Sequence, residues 1–188
     1  SPRFEQKYGD YNISRLEWAY HTVPLNSPDA PALDVLAQIT GQGRSSRLVK
    51  TIQEELKLVH DISAWSYTPK EPGLFGISAD MEPGMEDKTI EAVQTEINTW
   101  LTSPFKTSEI EKEKRQILNS EISALETVKG QANSYASGEF YATDPRYAET
   151  YLKELNNVSV TSLMKVARKY LVPENRTITI LSPETSRP

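Results

Sequence analysis

Residues able to do chemistry are few in this chain, and their spacing sets narrow limits on what that chemistry can be. There are two histidines, His21 and His60. Neither has a histidine or cysteine three or four residues away, the spacing that puts two metal ligands on one helix face. His21 falls on the polar phase of a strand pattern and His60 opens a hairpin, so both read as ordinary surface or partly buried residues. Asp80 and Glu82 lie two apart at a strand end, where a carboxyl pair could act as general acid and base; turn capping accounts for them more simply. Ser45 and Ser46 carry hydroxyls but have no histidine nearby in sequence, so a triad would have to be assembled by the fold from just two candidate bases. There is no cysteine, which removes thiolate chemistry and disulfides and leaves the redox compartment open. No catalytic residue and no metal ligand is assigned.

The run Gly41-Gln42-Gly43-Arg44-Ser45-Ser46-Arg47-Leu48 is the hinge of the pattern. Glycines ahead of a helix can cradle an anion, but this run lacks the Lys-Ser/Thr ending of a phosphate loop and the third glycine of a dinucleotide fingerprint. A capped helix-helix corner is the better reading. Leu33, Leu36, Ala37 and Thr40 trace one helix face up to it, with Gly41 placed for a left-handed C-cap. Leu48, Val49, Ile52 and Leu56 restart the pattern, with Ser45 and Ser46 placed to cap the new helix. Gly41, Gly43, Arg44, Ser45, Ser46 and Arg47 are therefore expected to form a structural corner, with Gly43 at positive φ.

The elements around it follow from periodicity. Residues 1 to 13 read as polar and irregular. Leu16, Trp18, Tyr20 and Thr22 alternate with polar neighbours as a strand. Ser27-Pro28-Asp29 supplies caps and a first-turn proline for the helix of residues 29 to 40. Val59 to Tyr67 and Leu74 to Met81, joined by Pro- and Gly-rich turns, make an antiparallel hairpin, because a parallel pair would need a longer crossover. Ile90, Val93, Ile97, Trp100 and Leu101 mark an amphipathic helix. Ser108 with Glu111 suggests a capping box opening a long helix whose buried side holds Ile110, Ile117, Leu118, Ile122 and Leu125, with Glu109 to Arg115 as a solvated face. Tyr135, Phe140 and Tyr141 read as core. A helix follows from Tyr147 to Leu155, Ser159 caps a last helix, and Thr177 to Leu181 reads as a final strand.

This order predicts an α+β fold, a mostly antiparallel sheet with several helices packed on one face. At 188 residues one core and a single domain over 1 to 188 are expected. The 37% hydrophobic and 25% charged content is that of an ordinary soluble globule, and no apolar run approaches the roughly 20 residues of a membrane span. A net charge of -5 without a basic tract argues against a nucleic-acid surface. The opening Ser-Pro-Arg-Phe has neither an initiator methionine nor a signal-peptide apolar core, so the chain reads as a processed product or an excised fragment, the fragment being the preferred reading. Its compartment, periplasm or cytoplasm, is left open.

Taken together, residues 27 to 39 (SPDAPALDVLAQI), the corner Gly43-Arg44-Ser45-Ser46-Arg47-Leu48, Gly73-Leu74-Phe75-Gly76-Ile77, Glu109 to Lys114 and Val158 to Leu171 resemble the second domain of pitrilysin-type, insulinase-like zinc peptidases of the processing-peptidase kind. In that family an H-x-x-E-H helix and a distant glutamate bind zinc in the first domain, with the motif's glutamate as general base. This chain has no such motif. The resemblance therefore implies a non-catalytic C-terminal half-fragment that helps enclose the substrate chamber. Its implied partners are the H-x-x-E-H domain, in the same chain or a partner subunit, and a peptide substrate, and its cofactor, zinc, belongs to that other domain. Some family members carry an arginine and a tyrosine seven apart that hold substrate; the matching positions here are about Ile52 and Val59, a departure from the pattern. The alternative is an inactive scaffold or protein-interaction module of the same family.

Overall fold

The computed structural model describes residues 2–187. Strand β2 (Ser14–His21) shows why a sheet forms: Leu16, Trp18 and Tyr20 are at most 1% exposed, while the alternate side chains face outward. That two-residue period buries one face only. β2 lies at the centre of a five-stranded sheet of order β1-β5-β2-β4-β3. It is flanked antiparallel by β4 (Leu74–Met81) and β5 (Arg176–Pro183), and β3 (Asp61–Tyr67) pairs antiparallel with β4 as the far edge.

The stretch expected to be irregular at the start of the chain is instead a strand, β1 (Arg3–Gly9), running parallel to β5 from Arg3 beside Thr177 to Gly9 beside Pro183. None of its side chains is buried, so it has no apolar alternation to read. Its order comes from the backbone ladder, which carries no side-chain signature.

Helix α1 (Ala30–Gly41) lies against β3 and β4 and is buried along almost its whole length, leaving Asp34 and Gln38 as its partly exposed positions. The expected Ser-Pro-Asp cap is absent. Asp29 occupies the N-cap without a side-chain cap bond, because its carboxylate is held by Lys169 Nζ and Tyr170 Oη, each at 2.7 Å, and the first-turn proline is Pro31. α2 (Glu86–Thr102) sets Val93, Ile97 and Trp100 into the core, and α6 (Val160–Tyr170) adds Leu163, Val166 and Ala167. Ser159 caps α6 as expected, its hydroxyl accepting from the Ser162 amide. Burying one sheet face under amphipathic helices gives the α+β architecture.

α3 (Thr107–Leu125) opens two residues earlier in register than Ser108 and Glu111 suggest. The Glu109 carboxylate reaches back to the Lys106 amide at 2.9 Å. Ile110 and Ile117 are buried, but Leu118 and Ile122 are 37% and 49% exposed, so the buried stripe of the helix ends at Ile117. Nor is Glu109 to Arg115 a solvated face. Glu113 is buried, and Lys114 Nζ donates to the carbonyls of Asn156 and Val158 at the junction between α5 (Tyr147–Asn156) and α6. α4 (Val128–Ser137) and the π-helical turn after it (Gly138–Ala142) sit at the periphery. Tyr135 and Phe140, expected in the core, are 57% and 65% exposed, because α4 buries none of its residues and the turn after it buries only Gly138 and Ala142; Tyr141 is partly buried.

Candidate functional site

The Gly41 to Leu48 corner divides its work differently from expectation. Gly41 does not turn left-handed; it is the last residue of α1, and a Cβ there would stand 1.9 Å from the Ala64 amide nitrogen. The glycine is what lets the helix end approach β3. Gln42 is extended and donates Nε2 to the Ala64 carbonyl at 2.6 Å. Gly43, at φ 73°, makes the left-handed turn and accepts from the Ser46 amide. Neither serine caps the next helix, whose N-cap is Leu48 and whose residues Val49–Glu55 wind as a π-helix. The Ser45 hydroxyl instead accepts from Lys112 Nζ at 2.6 Å, while Ser46 is buried with no partner for its hydroxyl.

Arg47 closes the corner onto α3. Its guanidinium lies 4.4 Å from the centre of the Phe105 ring and donates twice to Glu109, at 3.0 Å and 3.4 Å. Burial alone would raise the Glu109 pKa; the Arg47 bonds and the Lys106 amide outweigh it and hold the carboxyl below its usual range. The anion at this corner is thus the protein's own glutamate. Arg44 is exposed.

The other sequence candidates are scattered. His21 is exposed at the end of β2, with its carbonyl accepting from Asn175 Nδ2. His60 pairs with Glu82 at 2.9 Å, and Asp80 turns to Arg15 at 3.6 Å, so the two acids serve different partners. Ile52 and Val59 are both in the core and offer no polar group to a substrate. Among the described residues, no group of three or more His, Cys, Asp or Glu could hold a metal ion.

The structure also brings together a set that sequence reading passed over. Asp34 of α1, Glu121 of α3 and Tyr151 of α5 line two adjoining cavities of about 400 and 340 Å³. Tyr151 Oη donates to Asp34 Oδ2 at 2.9 Å. Burial raises the Asp34 pKa most, and the nearby Glu121 charge adds to it. Ser66 is close enough to ease that charge without making a hydrogen bond of acceptable geometry. A signal was present in α1: Asp34 and Gln38, four apart, break an otherwise buried helix.

Residues 2–117 match the family model described as the peptidase M16 inactive domain. The chain belongs to that family. The resemblance to pitrilysin-type peptidases is borne out, and the α+β fold with it. This M16 inactive domain is 22% identical over 156 residues to an uncharacterised zinc protease, YmxG, of Bacillus subtilis; the match covers 83% of this chain and 38% of that protein, so the chain spans well under half its relative's length. A protease from Helicobacter pylori superposes with a TM-score of 0.87 at 20% identity, over 97% of this chain and 44% of that one. An inactive peptidase domain from Bordetella parapertussis gives 0.84 at 21% identity, over 94% of each chain. At these identities the structural likenesses carry the fold. No helix of the described residues is long and apolar enough to cross a membrane. Glu121 and Tyr151 lie beyond the residues matched by the family model.

Proposed function

We propose that this domain helps enclose the peptide-substrate chamber of a zinc-dependent metalloendopeptidase whose H-x-x-E-H site lies in a separate domain, in the same chain or a partner subunit. The observation that carries the reading is membership in the M16 inactive-domain family, among relatives named zinc proteases. The chemistry agrees. Zinc activates the water that attacks the peptide bond, and this chain offers two histidines at different strand ends with different partners. Ile52 and Val59, packed in the core, leave any substrate-holding arginine and tyrosine to another subunit. What an enclosing domain contributes is orientation of the substrate and exclusion of water, which speed a reaction only where a nucleophile is supplied.

Three samples test this: the chain alone, the zinc-bearing half alone, and the two joined, each incubated with short peptides with and without chelator. Chelator-sensitive turnover confined to the joined sample is the expected result. Turnover by this chain alone would overturn the non-catalytic assignment, and equal turnover with and without it would leave a scaffold.

A further inference from the structure

We propose that the free edge of β1 is a self-association surface: a second copy of this chain pairs its own β1 there, antiparallel, and joins the two sheets into one. The inference goes beyond the chamber reading and does not depend on it.

The two edges of the sheet are finished differently. On the far side the end of α1 closes β3. Gln42 Nε2 donates to the Ala64 carbonyl at 2.6 Å, and Gly41 brings the helix backbone against the Ala64 amide. β1 (Arg3–Gly9) has β5 on one side and, among the described residues, no strand on the other. A strand paired on one side leaves alternate N–H and C=O groups turned outward, a template for another strand. No helix buries a β1 side chain, so the strand stands beyond the helical layer and leaves room for the helices of a second copy.

The order of side chains decides what fits. Two copies related by a twofold axis through Gln6, the middle residue of the strand, pair along all seven residues. On each side of the axis that register sets Glu5 opposite Lys7, Phe4 opposite Tyr8 and Arg3 opposite Gly9, with Gln6 facing its own copy. Opposite charges and aromatic pairs directly across an antiparallel ladder are stabilising, and like charges there are not. Moving the axis to Glu5 sets Glu5 against Glu5 and Arg3 against Lys7; moving it to Lys7 sets Lys7 against Lys7. An edge guarded by charges of one sign repels its own copy, whereas Arg3, Glu5 and Lys7 alternate in sign and complement it.

The faces agree as well. Phe4 and Gln6 lie beside the buried Ile178 and Ile180 of β5, and Gln6 Nε2 donates to the buried Ser182 hydroxyl at 3.1 Å, which puts Phe4, Gln6 and Tyr8 on the core side of the sheet. Phe4 is nonetheless 59% exposed, an apolar ring that its own chain leaves largely uncovered. In the dimer it meets the Tyr8 of the second copy. Glu5 and Lys7, on the other face, already lie 3.3 Å apart along the strand, so two copies bring them into one alternating cluster. A seven-residue ladder is smaller than a standard interface, so the dimer forms at high concentration.

The test sediments the 188-residue chain from about 10 µM to about 1 mM, the range suited to a small interface; a relative of the same extent stands as a chain of its own. The sedimentation coefficient is expected to rise with concentration toward that of a dimer. Glu5→Lys and Lys7→Glu each set like charges opposite one another and weaken self-association at least about tenfold. Mixing the two variants restores it, because each then faces the other's opposite charges, and the double variant, with its charges exchanged, associates on its own. A chain monomeric throughout, undiminished association in either single variant, no recovery on mixing or in the double variant, or displacement of the second copy by the zinc-bearing half would each overturn the proposal.

Discussion

α3 meets the chain at two places that treat charge in opposite ways, one at the corner that follows α1 and one along α1 itself. At the corner, Glu109 takes two hydrogen bonds from Arg47, whose guanidinium rests on Phe105, and Lys112 ties Ser45 to the same helix. About two turns back along α1, Asp34 faces Glu121 across a cleft with a single phenol as donor. α3 thus carries one acid satisfied within the chain and another, Glu121, that forms no ion pair among the described residues. The first place stabilises the fold; the second costs stability, because the buried Asp34 charge has no cation beside it.

The sharpest way to break this comparison is at the corner's backbone. Gly41→Ala places a Cβ 1.9 Å from the Ala64 nitrogen, a clash with backbone that should cost about 3 kcal/mol or more and lower the Tm by roughly 6–12 °C. A variant melting like the parent would mean that α1 does not close on β3 as described. Next is Arg47→Ala. It removes a bidentate, half-buried pair and a cation-ring contact, for an expected loss of about 1–2 kcal/mol, again read by thermal unfolding. Gly43→Ala should cost about 1 kcal/mol because φ is 73°, although nothing stands where the new methyl would go; a larger loss would point to crowding.

Asp34→Asn should differ in sign, leaving stability at neutral pH equal to the parent's or above it by up to about 1 kcal/mol, since the amide removes an uncompensated charge. The pH dependence separates the two places further. Glu109 has a lowered folded pKa, so its stabilisation is present above the unfolded carboxylate value of about 4.3 and is lost as pH falls through the folded value. Asp34 has a raised folded pKa, so its destabilising charge is fully present above that folded value and is relieved as pH falls through it. Denaturant midpoints from pH 7 to 3 should therefore fall less steeply in Arg47→Ala than in the parent, and more steeply in Asp34→Asn. Identical profiles for both variants would remove the distinction.

What could be read from the sequence was whatever repeats locally. The alternation of Leu16, Trp18 and Tyr20, the turn residues between Val59 and Met81, and the Ser159 cap each rest on neighbours a few residues apart. β1 was missed because a backbone ladder leaves no apolar period. Gly41 and Gly43 were both read as turn glycines, since the close approach of α1 to Ala64 joins distant segments. Apolar residues were assigned to the core by type, which fails for Leu118, Ile122 and Phe140, which face solvent. The cleft escaped for the same reason: Asp34 and Tyr151 lie 117 residues apart, and Glu121 belongs to a helix whose acids looked like ordinary surface charge.

The most direct test of the comparison measures the thermal midpoint at pH 7 on two variants, Arg47→Ala and Asp34→Asn. The expected result is a pair of opposite effects. Arg47→Ala lowers the midpoint by several degrees, while Asp34→Asn leaves it equal to the parent's or raises it by up to about 4 °C. An unchanged midpoint in Arg47→Ala, or a fall of several degrees in Asp34→Asn, would contradict the division between a corner whose charges hold the fold and a cleft whose charge costs it stability.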